Sequence, residues 1–375
     1  MNEDNKSLAS DGLIIASAKE AGISDSDICA FYAAQWTRPI ALVREEFAQW
    51  QFRSAPASQG HNHSIVALEN AKIIAVMGVT PNDFVLRGDR RRGAELTTWV
   101  VAPQTRGKGV GKKILAALQD RYDVLTGAGI TAAAIPLYLA AGFTFLKHMP
   151  RFFHIADFDN IKRFVTASDS ALRITANRQA KAPEAEWRTQ PVAATNLAQC
   201  AQTLASDGHF ARDAARLAWR YDQHPAFQYE AFLVHDAHTP GRGAGVILRA
   251  DMVLDTPILH VVDLFGDPQD IGAALNFLEA EARVRGAAFV DISLTLGATS
   301  ALLRARGWSS AVDDPLVALP SLFYPVELRD PPTTSVMVWG RHDQNRLFDL
   351  SRLHITRGDM DLDRPTLSWY EGNGL

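Results

Sequence analysis

The sequence predicts an α/β chain, in the α+β sense, built from two domains. Three observations predict this. The chain has 375 residues, and at about 150 residues per domain that length suits two. It is 47% hydrophobic and 21% charged, the balance of a chain that buries cores instead of staying unfolded. Strand-type and helix-type periodicities alternate along it, and the second half repeats the order of the first.

Residues 1–24 are polar and small and read as a flexible N-terminal segment. From Asp25 to Phe52, Ile28, Phe31, Tyr32, Leu42, Phe47 and Trp50 recur at helical spacing, broken at Arg38-Pro39. Residues 53–63 read as a loop. It holds His61 and His63 but no third ligand close in sequence, so no metal is expected there. Ser64 to Leu68 and Lys72 to Val79 read as two strands joined by a turn at Glu69-Asn70-Ala71. Asp83 to Arg87 is extended, and Gly88 to Gly93 is a charged turn. Glu95 to Val101 is rich in β-formers and ends at Ala102-Pro103. A glycine-rich turn, Gly107 to Gly111, leads into a helix from Val110 to Arg121 with Ile114, Leu115 and Leu118 on one face. A short strand (Tyr122 to Leu125), a short helix (Leu137 to Ala141) stopped by Gly142, and a strand (Phe143 to Leu146) complete this half.

Residues 156–190 read as a linker, ending in the polar run Lys181 to Glu186. The expected domains are therefore 25–155 and 191–375. The second half gives strands at Glu230 to Val234, Gly243 to Arg249 and Ile258 to Phe265. A helix from Ile271 to Arg285, a strand from Ala288 to Leu294 and a helix from Thr299 to Arg306 follow.

Chemistry concentrates in one segment, Val100-Val101-Ala102-Pro103-Gln104-Thr105-Arg106-Gly107-Lys108-Gly109-Val110-Gly111-Lys112-Lys113. A strand ends, glycines follow and a helix starts, so backbone N–H groups converge on one spot suited to a phosphate. The Walker pattern fails because Lys113 stands where Ser or Thr is needed, and the dinucleotide pattern fails because Lys112 stands at its third glycine.

The run Arg106-x-x-Gly109-x-Gly111, with Tyr138-Leu139-Ala140-Ala141-Gly142-Phe143 further on, resembles the signature of the GNAT acyltransferase superfamily over residues 25–155. That resemblance implies a mixed, mostly antiparallel sheet flanked by helices, with a splayed strand pair that admits the pantetheine arm of acetyl-CoA or another acyl-CoA. It implies that the backbone of Gly107, Lys108, Gly109, Val110 and Gly111 holds the pyrophosphate, with Arg106 opening the motif and Lys108 or Lys112 adding charge. The backbone near Trp99, Val100 and Val101 would pair with the pantetheine amides. Tyr138 is the expected proton donor to the leaving thiolate, or otherwise a packed aromatic. Glu95 is the candidate base, or otherwise a strand carboxylate facing solvent or pairing with Arg90 to Arg92.

The second half resembles a degenerate GNAT core. Asp267 and Asp270 stand at the turn equivalent to the phosphate loop, where they would repel pyrophosphate. Asp207, His209, Trp219, Arg220, Tyr221 and His224 form a polar-aromatic patch, either a stacking site or a domain-packing surface. The tail acids Asp359, Asp361 and Asp363 read as caps and surface turns, or otherwise as carboxylates near a substrate cleft that hold a cationic amine. Cys29 and Cys200 form no framework, and a reducing cytoplasm is expected.

The net charge of −4 argues against a nucleic-acid partner, and no apolar run is long enough to span a membrane. The expected activity is acyl-CoA-dependent N-acylation, most simply N-acetylation, of a small polar amine such as an amino sugar, without a metal. The alternative is a tandem module that binds acyl-CoA or a partner without transfer. An exposed sheet edge could pair two copies into a homodimer.

Overall fold

Leu13-Ile14-Ile15 and the strands that follow assemble into a sheet with the spatial order Leu13–Ser17, Ile65–Glu69, Lys72–Pro81, Gly93–Val101, Val124–Ala128, Val336–Gly340, Thr144–Leu146. The computed structural model describes residues 12–374 except 180–185, 239–242, 324–325, 331, 342–346 and 348. Within the sheet only Gly93–Val101 and Val124–Ala128 run parallel; every other neighbour is antiparallel. The helix Val110–Arg121 buries Val110, Ile114, Leu115 and Leu118 against one face. The helices Asp25–Gln35 and Glu45–Phe52 cover the other face, packing with Val66 and Val76.

A second sheet has the order Trp187–Val192, Glu230–Asp236, Ala244–Val253, Thr256–Gly266, Phe289–Ser293, Arg151–Ile155, Ser309–Ser310. Again only the fourth and fifth strands are parallel. Order and polarity therefore match the first sheet at every position. Both sheets are mixed and mostly antiparallel, as the resemblance implies.

The sixth position of each sheet is filled from across the expected boundary. Val336–Gly340 enters the first sheet and Arg151–Ile155 enters the second. A division at 155 and 191 thus separates the chain but not the sheets. Each of these strands is buried along its whole length. Such strands lack the in–out alternation that would tie them to one sheet.

Two segments are more ordered than their composition suggests. Leu13–Ser17 pairs with Ile65–Glu69, and Ser17 and Glu20 form a capping box for the turn that follows. The flexible segment expected over 1–24 is therefore structured from Leu13 onward, and residues 1–11 lie outside the described residues. The expected linker 156–190 contains the helix Asp169–Gln179 and the start of the strand Trp187–Val192. Gln179 accepts from the Ile155 N–H at 3.0 Å and donates to the Phe153 carbonyl at 3.3 Å, which ties the helix to the exchanged strand. Of the polar run, residues 181–185 lie outside the described residues.

The chain ends in a segment that crosses between the halves. Leu353–His354 joins Gly208–Phe210, Phe84–Leu86 and Asp89–Arg91 in a small bridging sheet. A 3₁₀ turn (Arg357–Asp359), an extended stretch and the helix Leu367–Gly372 follow. Pairing of Thr366 with Ile40 anchors that end on the first half. Among the described residues no helix is long and apolar enough to cross a membrane.

Candidate functional site

The glycine turn is open. Gly107 and Gly109 sit at φ +77° and +78°, and a Cβ at either would meet nothing within 4 Å. This is backbone that side chains avoid, in front of empty space. Gly109 is the N-cap of the helix Val110–Arg121 and contributes no side-chain cap, so the first-turn N–H groups face outward. Arg106, Lys108 and Lys112 are exposed around it, and Arg106 Nε donates to the Val101 carbonyl at 3.2 Å. Gly111 serves packing instead, because a Cβ there would lie 2.8 Å from the Trp99 ring. Its glycine lets the helix start close against the preceding strand.

That strand is bent. Met77 opposes Trp99 and Gly78 opposes Thr97, which leaves Thr98 as a bulge residue at φ +33°. On the other edge, the ladder with Val124–Ala128 runs from Gly93↔Val124 to Leu96↔Gly127 and stops. From Thr97 to Val101 the two parallel strands are no longer paired with each other. The strand Gly93–Val101 then leads through the 3₁₀ turn Pro103–Thr105 into the glycine turn.

Glu95 precedes the point of divergence. It does not face solvent or pair with Arg90 to Arg92, which instead bond Asp83, Asp213, Asp89 and Asp123. Glu95 is 4% exposed and accepts the backbone N–H of Asp361. Burial, then the nearby Asp361 carboxylate, push its pKa up to about 8, against the opposing pull of Arg216 and Arg220. Asp361 is raised too, by burial, although Arg364 pairs with it at 2.9 Å. Arg364 Nη1 also donates to the Thr97 and Thr98 hydroxyls, so the tail locks onto the bulge. Tyr138 is 3% exposed. Its ring meets Trp99 edge-on at 5.4 Å and Phe143 at 5.0 Å. Burial and the Asp361 carboxylate both raise its phenol.

The tail acids are not surface turns. Asp359, Asp361 and Asp363 are 5%, 6% and 2% exposed. Asp359 does complete a capping box with Thr356, but it also pairs with buried Arg212 at 2.7 Å. Asp363 takes Arg249 at 2.6 Å, Arg357 at 3.1 Å and Arg220 at 3.2 Å. Arg212, Arg220 and Arg249 come from far upstream in the chain, and they make burial of the acids tolerable.

The patch around Trp219 packs the halves together. Trp219 stacks on Trp50 at 4.9 Å with 17° between planes. Each indole N–H donates to the other residue's carbonyl, at 3.2 and 2.8 Å. Arg216 lies over Trp219 at 4.5 Å. Burial pushes its pKa down to about 10. Trp50, Glu95, Trp219, Arg220, Asp361 and Asp363 enclose a small cavity. Of these, the sequence marks Glu95 as a candidate base, offers Trp219 and Arg220 as part of the polar-aromatic patch, and offers Asp361 and Asp363 as one reading of the tail acids. Trp50, which meets Trp219 from the other half, carries no local signal.

The equivalent turn of the second half is closed. Asp267 caps the helix Pro268–Val284 with its own side chain, and Asp270 accepts the N–H groups of Asp236 and Gly243. A Cβ at Gly266 would lie 2.5 Å from the Gly243 carbonyl oxygen. Carboxylates fill the place where an anion would sit. His61 and His63 take no part in the site, His63 bonding the Ser58 carbonyl at 3.1 Å. Cys29 and Cys200 are buried and form no disulfide.

Residues 26–143 match the model of the acetyltransferase (GNAT) family. No curated protein matches the chain. Among solved structures, a GCN5-related N-acetyltransferase from Anabaena variabilis is similar with a TM-score of 0.53 and 15% identity, over 87% of this chain and 72% of that one. A conserved protein of unknown function from Enterococcus faecalis, described as a probable N-acyltransferase, is similar with a TM-score of 0.51 and 13% identity, over 88% and 72%. At these identities the likeness is one of fold, and its extent reaches well past residue 143.

Proposed function

With residues 26–143 matching the GNAT acetyltransferase model, we propose that this chain transfers an acyl group, most simply acetyl, from CoA to the primary amine of a small polar acceptor. The observation that carries this reading is the strand divergence beyond Leu96 and Gly127 beside an open, left-handed Gly107–Gly109 turn. An acyl-CoA supplies the activated thioester. The chain's own groups fit it: N–H donors at the turn for the pyrophosphate, the strand edge that the parallel strand leaves at Trp99 to Val101 for the pantetheine amides, and Arg106, Lys108 and Lys112 for charge.

The amine attacks the thioester carbon, and the carbon–sulfur bond breaks. Glu95, once ionised, takes the proton the amine loses, directly or through water. Tyr138 gives its proton to the departing thiolate, which leaves as free CoA. The raised Glu95 suits a base that must hold a proton until the tetrahedral intermediate collapses. Two domains of similar topology enclose Glu95, so the second half shapes the acceptor site instead of binding its own CoA. An amino sugar fits a site lined with acids, arginines and indoles. Cytoplasmic location and an edge-paired homodimer belong to the same reading.

The test is release of free thiol from acetyl-CoA with a panel of amino sugars, aminoglycosides and short peptides. Turnover that is lost in Tyr138→Phe and Gly109→Glu supports transfer. CoA binding without turnover on any amine supports the non-catalytic alternative. Failure to bind CoA removes both.

A further inference from the structure

A cleft larger than the cavity at Glu95 lies where the exchanged strand, the second sheet and the tail meet, with a volume of about 30 Å³. That is room for about two water molecules, or for one small anionic group. Its polar wall comes from Arg151, Ser293, Ser321, Thr334 and Arg357. Met360 lines this cleft and also the small cavity beside Glu95. A flexible thioether is thus the partition between the two spaces.

The cleft also reaches the acyl-transfer side. Thr334 Oγ1 and Leu362 Cδ2 lie 3.6 and 3.9 Å from the Cβ position of Gly129. Gly129 follows the strand Val124–Ala128 that borders the divergence, and its N–H donates to the Ser335 carbonyl at 3.0 Å.

Ion pairs run along this region. Arg151 pairs with Asp291, which pairs with His260, which reaches Asp251; Asp251 pairs with Arg249, and Asp363 joins Arg249, Arg220 and Arg357. Along this run the guanidiniums of Arg151, Arg220, Arg249 and Arg357 share the carboxylates of Asp251, Asp291 and Asp363. Arg151 is fully engaged: Nε and Nη2 bond Asp291, and Nη1 donates to the Pro320 and Pro332 carbonyls at 2.8 Å. Arg357 is not. Its Nε donates to Asp363 at 3.1 Å, and among the described residues neither Nη group has a hydrogen-bond partner. Its side chain is 13% exposed, so a largely buried guanidinium presents its outer face to a hydroxyl-lined cleft.

We propose that this cleft is the acceptor's anion subsite: the acyl acceptor carries a carboxylate or phosphate, which docks on the Nη groups of Arg357 between the Ser293, Ser321 and Thr334 hydroxyls. A planar guanidinium with two free donors matches either anion. The proposal rests on the acyl-transfer reading for what the ligand is used for, but the binding itself does not depend on turnover.

The test has two arms on the full-length chain. In the first, inorganic phosphate and malonate are titrated calorimetrically into wild type, Arg357→Met and Arg357→Lys. The glycine turn is unaltered in all three, so the part of binding that depends on Arg357 is the readout. A site lost in Arg357→Met and retained, weakened, in Arg357→Lys is expected; identical isotherms overturn the proposal. In the second arm, kcat/KM is compared for matched acceptors on wild type: glucosamine 6-phosphate against glucosamine, and glycine dipeptide against its amide. A preference of about tenfold for the anionic member is expected, and the pair that shows it tells phosphate from carboxylate. Equal rates within both pairs overturn the proposal. A binding site in the first arm without turnover in the second refutes acyl transfer and leaves the anion subsite standing. Should Arg357→Met fold poorly, Ser321→Ala tests the same site with a smaller perturbation and a smaller expected loss.

Discussion

Glu95 accepts the backbone N–H of Asp361, and the two carboxyl groups share one buried pocket although 266 residues separate them. Both are raised, so the pair titrates as a unit, holding a proton in the range where isolated carboxylates have none. If Glu95 is the base, kcat/KM rises with pH through an apparent value of about 8. Glu95→Gln should remove that limb and lower the rate by about 10²-fold or more. The stability effect has the opposite sign. A carboxyl raised on folding favours the fold below its unfolded value near 4.5 and loses that contribution as pH climbs through 8. Melting curves should show wild type losing more stability between pH 6 and 9 than Glu95→Gln.

Tyr138→Phe removes only the phenolic oxygen from a ring held by Trp99 and Phe143. The packing persists, so melting temperature and CoA affinity should change little while kcat falls by about 10²-fold or more. Direct CoA titration alongside steady-state kinetics separates the two.

Gly111→Ala and Gly107→Ala test two kinds of glycine. At Gly111 the new Cβ meets the Trp99 ring at 2.8 Å, so the strand or the helix must shift. CoA affinity should drop. At Gly107 the space is open but φ is +77°, and the cost is backbone strain of about 1–2 kcal/mol. Chemical denaturation reads the second effect, calorimetry the first.

Trp50 and Trp219 join the halves by stacking and by reciprocal N–H to carbonyl bonds. Either change to Ala should destabilise by about 3–5 kcal/mol, and the double mutant by less than the sum. Urea unfolding of the four chains gives the coupling.

A fragment ending at residue 155 keeps the whole glycine motif but lacks Val336–Gly340, so Val124–Ala128 and Thr144–Leu146 lose the strand between them. It also frees Arg151–Ile155, buried along its length in the intact protein. The fragment should aggregate or remain partly unfolded, as judged by circular dichroism and size-exclusion chromatography. A stable, monomeric, CoA-binding fragment would show that the exchange is dispensable.

The legible parts of this protein are local. The strand from Glu95, the helix after the glycines, the Tyr138 to Phe143 corner and the order of strands and helices in the second half all follow from periodicity or from short-range spacing, and the structure places them accordingly. Leu13–Ser17 is legible in principle, because three apolar residues and a Ser-x-x-Glu box mark a strand and a capped turn, but a polar surrounding composition masks it.

What sequence by itself determined is most of the local elements and the open glycine turn, since hydrogen bonds and φ angles there depend on neighbours a few residues away. The tertiary structure alone decided three other things: which sheet receives each fully buried strand, that Asp359 to Asp363 turn inward, and that Glu95 stands beside Asp361 instead of Arg90 to Arg92. The reason is physical. A strand buried on both faces has no alternation to declare its partner, and a tail carboxylate is a surface group until Arg212, Arg220 and Arg249, more than a hundred residues upstream, offer it a charge to meet.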